Sequence, residues 1–167
     1  MLPIIRDLYA YQSWADAEVC RLIANTPAAK DDPKVLQLLN HLHMVQQFFL
    51  LSVQGEPLSR EEMTRELTFD QLRESMQRFH KLADSSYLPK LRESRLRDVV
   101  RVPWFKDFQP TCQESLLQAV MHSQNHRGQL LTMLRSHGAD TQPLDYIVWL
   151  SKGRPEPEWE QATATAS

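Results

Sequence analysis

The stretch TCQESLLQAVMHSQNHRGQLLTMLRSHG, Thr111 to Gly138, decides the fold. Thr111 and Glu114 have the spacing of a capping box, in which each side chain satisfies a backbone N–H at a helix start. Leu116, Ala119, Leu130 and Met133 then recur with helical period. Gly138 follows as a stop signal. A helix over 111–137 is about 40 Å long at 1.5 Å per residue. It can bury its apolar face only against partners of comparable length.

Those partners are legible on either side. Pro3 suits the first turn of a helix over 3–25, whose stripe is Ile4, Leu8, Tyr11, Ala15, Val19 and Leu22. Asp32-Pro33 provides an N-cap and a proline at N1 for a helix over 34–54, and Gly55 closes it. Thr68 and Gln71 repeat the capping-box spacing ahead of a helix over 69–84. Pro143 opens a short last helix over 143–152, with Gly153 as its stop. Between the third and fourth long helices, RLRDVVRVPWFKDFQP behaves differently. Val99, Val100 and Val102 favour extended structure, and Pro103 and Pro110 prevent a continuous helix. The expectation is an all-α four-helix bundle, with a long crossover carrying a short β-ribbon before the fourth long helix and a short C-terminal helix. Residues 1–152 form one domain. Residues 153–167, GRPEPEWEQATATAS, are expected to be a disordered tail in which Trp159 alone is suited to pack back.

Composition narrows the function classes. The 167 residues carry a formal net charge of −2, which excludes the basic face of a general nucleic-acid binder. No run approaches the roughly 18 apolar residues of a membrane span, and Arg6 and Asp7 interrupt any leader. A cytoplasmic protein is expected. Cys20 and Cys112 are far apart and form no CxxC pair, so buried, reduced thiols are expected.

Histidine carries the remaining information. His122 and His126 stand four apart on one helical face, with Cβ atoms about 5–6 Å apart, and both can reach one divalent ion. On a helical wheel His126 shares the core stripe and His122 lies at its edge. In LLNHLHMVQQFFLL, His41 falls with Leu38, Val45 and Phe48 and reads as inward. His43 falls with Asn40, Gln47 and Gln54 and reads as solvated. His80 and His137 are explained by helix C-terminal dipoles. One inward histidine on the second helix and a pair on the fourth can converge, leaving a fourth metal position for water or substrate. No Glu-x-x-His, His-Glu-x-x-His or P-loop pattern competes.

At these residues the sequence resembles the DinB-like family, relatives of bacillithiol transferases and of the metal-binding domain of mycothiol-dependent enzymes. LYAYQSWADAEV resembles the first-helix pattern, with Asp16 where the family places Asn. LLNHLHMVQQFFL resembles the second-helix pattern, and HSQNHRGQLLTMLRSHG the motif His-x-x-x-His-Arg-Gly-Gln. PLDYIVWL resembles the closing segment. The resemblance spans about residues 1–152. It implies a four-helix bundle whose His41, His122 and His126 bind a divalent cation, most often zinc or nickel. Three imidazoles also suit iron, copper or manganese. It further implies a low-molecular-weight thiol and a small electrophilic substrate, joined by metal-activated S-transfer. A metal-dependent hydrolase using bound water and a non-catalytic stress-response bundle are the alternatives. Gln37 and Gln129, one turn from ligands, are placed to orient them; Tyr11, Trp14, Phe48 and Phe49 are placed to wall a pocket. Backbone hydrogen bonding and ordinary core packing are the competing roles for these six. Arg127 is expected in a surface salt bridge, Gly128 at a close approach of another helix or the crossover, and the whole protein as a homodimer.

Overall fold

The computed structural model describes residues 1–56, 58–102 and 105–159. Its long helices are α1 (Leu2–Ala24), α3 (Pro33–Gln54), α5 (Phe69–Leu82) and α7 (Cys112–Ser136). Short helices lie between and after them: α2 (Pro27–Lys30), α4 (Arg60–Thr64), α6 (Leu88–Lys90) and α8 (Tyr146–Ser151). The fold is all-α, and no strand occurs among the described residues. Helix α1 packs on α5 and α7, and α3 packs on the same two, so the long helices form a ring. The α3–α7 contact is the most extensive, and it carries the histidines.

The expected start signals operate as read. Asp32 accepts from Lys34 N, and the Thr68/Gln71 and Thr111/Glu114 boxes are both closed. Gly55, Gly138 and Gly153 adopt φ of 81°, 86° and 80°, the left-handed conformation glycine enters without Cβ strain. Apolar stripes meet in the interior: Ile23, Leu39, Leu42, Leu72, Leu130 and Leu134 toward one end, Ile5, Leu50, Phe79 and Leu116 toward the other. Cys20 and Cys112 are buried free thiols, as expected.

Several expectations give way. Helix α4 was not anticipated, although Ser59 and Glu62 form a third capping box. The third long helix does not stop at 84 but passes through a π turn, Ala83–Tyr87, into α6. The crossover ribbon shrinks to one antiparallel bridge, Val99 to Thr111, flanked by Val100 N to Pro110 O at 2.8 Å. Pro110 has no N–H to extend a ladder, and the Gln109 side chain takes the Val102 N–H at 2.6 Å instead. Pro103 lies outside the described residues. Helix α8 begins at Tyr146 rather than Pro143, because Tyr11 Oη donates to Leu144 O at 2.6 Å and holds the preceding segment extended.

Residues 153–159 return to the body instead of forming a loose tail. Trp149 Nε1 donates to Pro155 O at 3.0 Å, Arg154 pairs with Asp7, and Trp159 stacks on His80 at 5.5 Å. Residues 160–167 lie outside the described residues. No helix among those described is long and apolar enough to cross a membrane.

Candidate metal centre

Helix α3 delivers His41 to the α3–α7 seam, and α7 delivers His122 and His126 from successive turns. One ligand atom from each ring can be chosen so that all three lie within 4.8 Å of one another. His122 Nε2 and His41 Nε2 are 3.1 Å apart, and the ring centroids are separated by 4.3–5.1 Å. Two nitrogens bound at about 2.0–2.1 Å to a tetrahedral ion stand about 3.3–3.4 Å apart. The His41–His122 pair is thus close to the spacing one ion requires, His126 is within reach of the same point, and the all-nitrogen donor set suits a borderline divalent metal. Among the described residues no fourth histidine, cysteine or carboxylate belongs to the group.

The electrostatics of His41 and His122 favour neutral rings. Desolvation and then repulsion from His126 and His41 push His122 down to about 4. His41 is lowered by desolvation and by His126. Gln129 Oε1 lies 2.8 Å from His126 Nδ1. An amide oxygen only accepts, so Nδ1 carries the proton and the Nε2 lone pair remains for the ion. Gln129, one turn from His126 in the sequence, is thus in hydrogen-bond contact with it. Gln37 lies beside His41 but makes no hydrogen bond among the described residues.

A cavity of about 360 Å³ opens at His41, bordered by Met44, Val45, Phe48, Phe49 and Met63. Phe48 and Phe49 stand where a pocket wall was expected. Tyr11 and Trp14 do not line it. Both are in the core, with the Tyr11 hydroxyl committed to Leu144 and Gln124.

The wheel misjudged which α3 histidine is interior. His43 is 1% exposed, bonded to Ser75 Oγ at 2.9 Å and edge-on to Phe79. Burial pushes its pKa down to about 3. His41 is exposed at the rim of the seam. The reason lies in α3 itself, which is apolar on most of its circumference: Leu39, Leu42, Leu50 and Val53 form the deepest stripe, with His43 and Gln46 within it. Leu38 and Val45, used to orient His41, are only partly buried flanks.

Arg127 is the largest correction. It is 1% exposed and donates Nη1 to Asp16 Oδ1 at 2.6 Å. Asp16, wholly buried, also takes His80 Nε2 at 2.9 Å and Gln46 Nε2 at 2.6 Å. Gln46 reaches Ser123 Oγ at 3.0 Å, and the Arg127 guanidinium lies 5.3 Å over Tyr11. This network joins α1, α3, α5 and α7, adjacent in sequence to His126. His80 therefore serves the interior and not a helix end. An acid inside the run Ala15-Asp16-Ala17 was the signal available for it. His137 does lie at the α7 C-terminus, and its Nε2 is 2.8 Å from Asp32 Oδ2 at the start of α3. Gly128 is exposed, and a Cβ there would meet nothing within 4 Å, so no helix approaches it closely.

The DinB family model matches residues 1–160. The chain belongs to the DinB family. Neither a curated protein nor a solved structure matches it. The family assignment agrees with the observed site: the three residues the motif positions mark as ligands are the three that the α3–α7 seam of this DinB protein brings together.

Proposed function

We propose that this DinB protein is a divalent-metal-dependent enzyme that transfers the sulfur of a low-molecular-weight thiol to a small electrophile. The observation that carries the reading is the three-nitrogen triangle, one member of which, His41, borders a mainly apolar cavity. A bound divalent cation supplies Lewis acidity, lowering the pKa of a thiol or water held against it. His41, His122 and His126 provide the nitrogen donors, and Gln129 orients the His126 ring. Phe48, Phe49 and Met44 offer an apolar wall that holds the electrophile and excludes water. In the transfer the thiol proton passes to solvent and a sulfur–carbon bond forms. The bond to the leaving group breaks, and that group departs with the electron pair.

The test is turnover by the zinc- and nickel-loaded protein, with cysteine or glutathione as thiol and 1-chloro-2,4-dinitrobenzene as chromogenic electrophile. The expected result is thiol-dependent release of chloride that is abolished by chelator and by His126→Ala. Ester hydrolysis without thiol would replace this reading with a metal-bound-water hydrolase. Stoichiometric metal with no turnover of any thiol would leave a non-catalytic bundle.

A further inference from the structure

A second cavity, also about 360 Å³, shares no lining residue with the one at His41. Helix α1 contributes Tyr9, Ala10 and Ser13 to it, and the end of α5 contributes Gln77 and His80. The segment after α8 closes one side with Pro155, Pro157 and Trp159. Its volume falls within the roughly 300–1,000 Å³ range of small-molecule sites.

The walls are fixed before any ligand arrives. His80 is anchored to Asp16 at 2.9 Å and stacked on Trp159, with 29° between the rings. Trp149 is held by its bond to Pro155 O and by Arg154, 5.7 Å over its ring. Indole, proline, alanine and leucine surfaces give the cavity its apolar character. Ser13 and Gln77 add polar surface, and among the uncharged polar groups Tyr9 is distinct. The Tyr9 hydroxyl is buried and has no hydrogen-bond partner among the described residues, although Tyr9 is only 3% exposed. Leaving a buried hydroxyl unpaired costs about 1–3 kcal/mol, which makes a partner worth supplying. Burial keeps the phenol protonated, so it can donate. At the border, the cations Lys81 and Arg154 are matched by the anions Asp84 and Glu156. Their charges cancel, and Arg154 is already engaged by Asp7.

We infer that this cavity is a second small-molecule site, taking an uncharged, mainly apolar ligand with a hydrogen-bond acceptor for Tyr9. It does not depend on the metal-centre reading, since none of its residues is a ligand there.

Acetophenone, an uncharged aryl ketone, is a suitable probe for titration into the full ¹⁵N-labelled chain. The expected result is saturable movement of the Trp149 and Trp159 indole N–H signals. Tyr9→Phe should weaken binding about 2- to 10-fold, the worth of one hydrogen bond. Ala10→Phe fills the cavity from an exposed α1 position, where folding is spared, and should weaken binding at least tenfold. Two-dimensional spectra of each variant verify the fold. No saturable shift up to the solubility limit, or binding unchanged by Ala10→Phe, would overturn the site. Benzoate binding as tightly as acetophenone would overturn the preference for an uncharged ligand.

Discussion

Arg127 Nη1 lies 2.6 Å from Asp16 Oδ1, and neither side chain is more than 1% exposed. Two opposite charges sit in the interior, one residue along from a metal-site histidine. Removing one partner leaves the other as an uncompensated buried charge, which costs about 3–5 kcal/mol. Asp16→Asn and Arg127→Met should each lose stability on that scale in urea denaturation. Asp16→Asn combined with Arg127→Met should cost clearly less than the sum, because no charge is stranded.

Acid should act through the same carboxylate. Burial pushes the Asp16 pKa up, but the Arg127 charge and the His80 and Gln46 hydrogen bonds outweigh it and hold the group at about 2. The unfolded chain titrates Asp near 3.9. A depressed folded value means the stabilisation is complete above about pH 4 and disappears as pH falls toward 2, with a slope approaching about 1.4 kcal/mol per pH unit. Denaturation midpoints of wild type should therefore fall more steeply across that window than those of Asp16→Asn. Parallel curves would contradict the account.

The two histidines of α3 give opposite expectations. His41→Ala should lower bound zinc or nickel to near background, as should His122→Ala and His126→Ala. His43→Gln should retain the metal while losing stability, since it lies in the core beside Ser75 and Phe79. Elemental analysis of the purified variants distinguishes the two.

Gln129→Leu removes the acceptor that sets the His126 tautomer. Partners of this kind typically contribute 10–100-fold in metal affinity. A competitive chelator titration should show a loss in that range with the fold intact.

Gly128 lies on an exposed face of α7 with nothing near an added Cβ. Gly128→Ala should raise stability by up to about 1 kcal/mol, the helix-propensity difference. A thermal melt that moves downward would reveal a contact the geometry does not show.

The helices and their caps were readable because they are local: Thr111 with Glu114, Asp32 with Pro33 and Gly55 after an apolar run all act within a turn or two. The pairing of His122 and His126 was readable for a related reason, since they share one helix; that His41 and not His43 joins them was not, because the wheel chose His41 on an inward placement the structure does not show. What escaped the sequence depends on which neighbour each face meets. His43 and Arg127 look polar and external until α5 and α1 are packed against them. The wheel on α3 failed because a helix buried on most of its circumference has no unique inward direction. The second cavity escaped for the same reason, being assembled from α1, α5 and a segment that composition alone marks as loose.

The bond between His137 and Asp32 ties the last turn of α7 to the first of α3. A slip of one turn between those two rods would displace His41 from its companions by about 5.4 Å. With their ends clasped and the interior packed around them, the two helices themselves set the register of the three rings. The three-histidine cluster is thus a ready-made socket: chelator treatment should leave the protein's shape intact, and metal added back should bind without refolding.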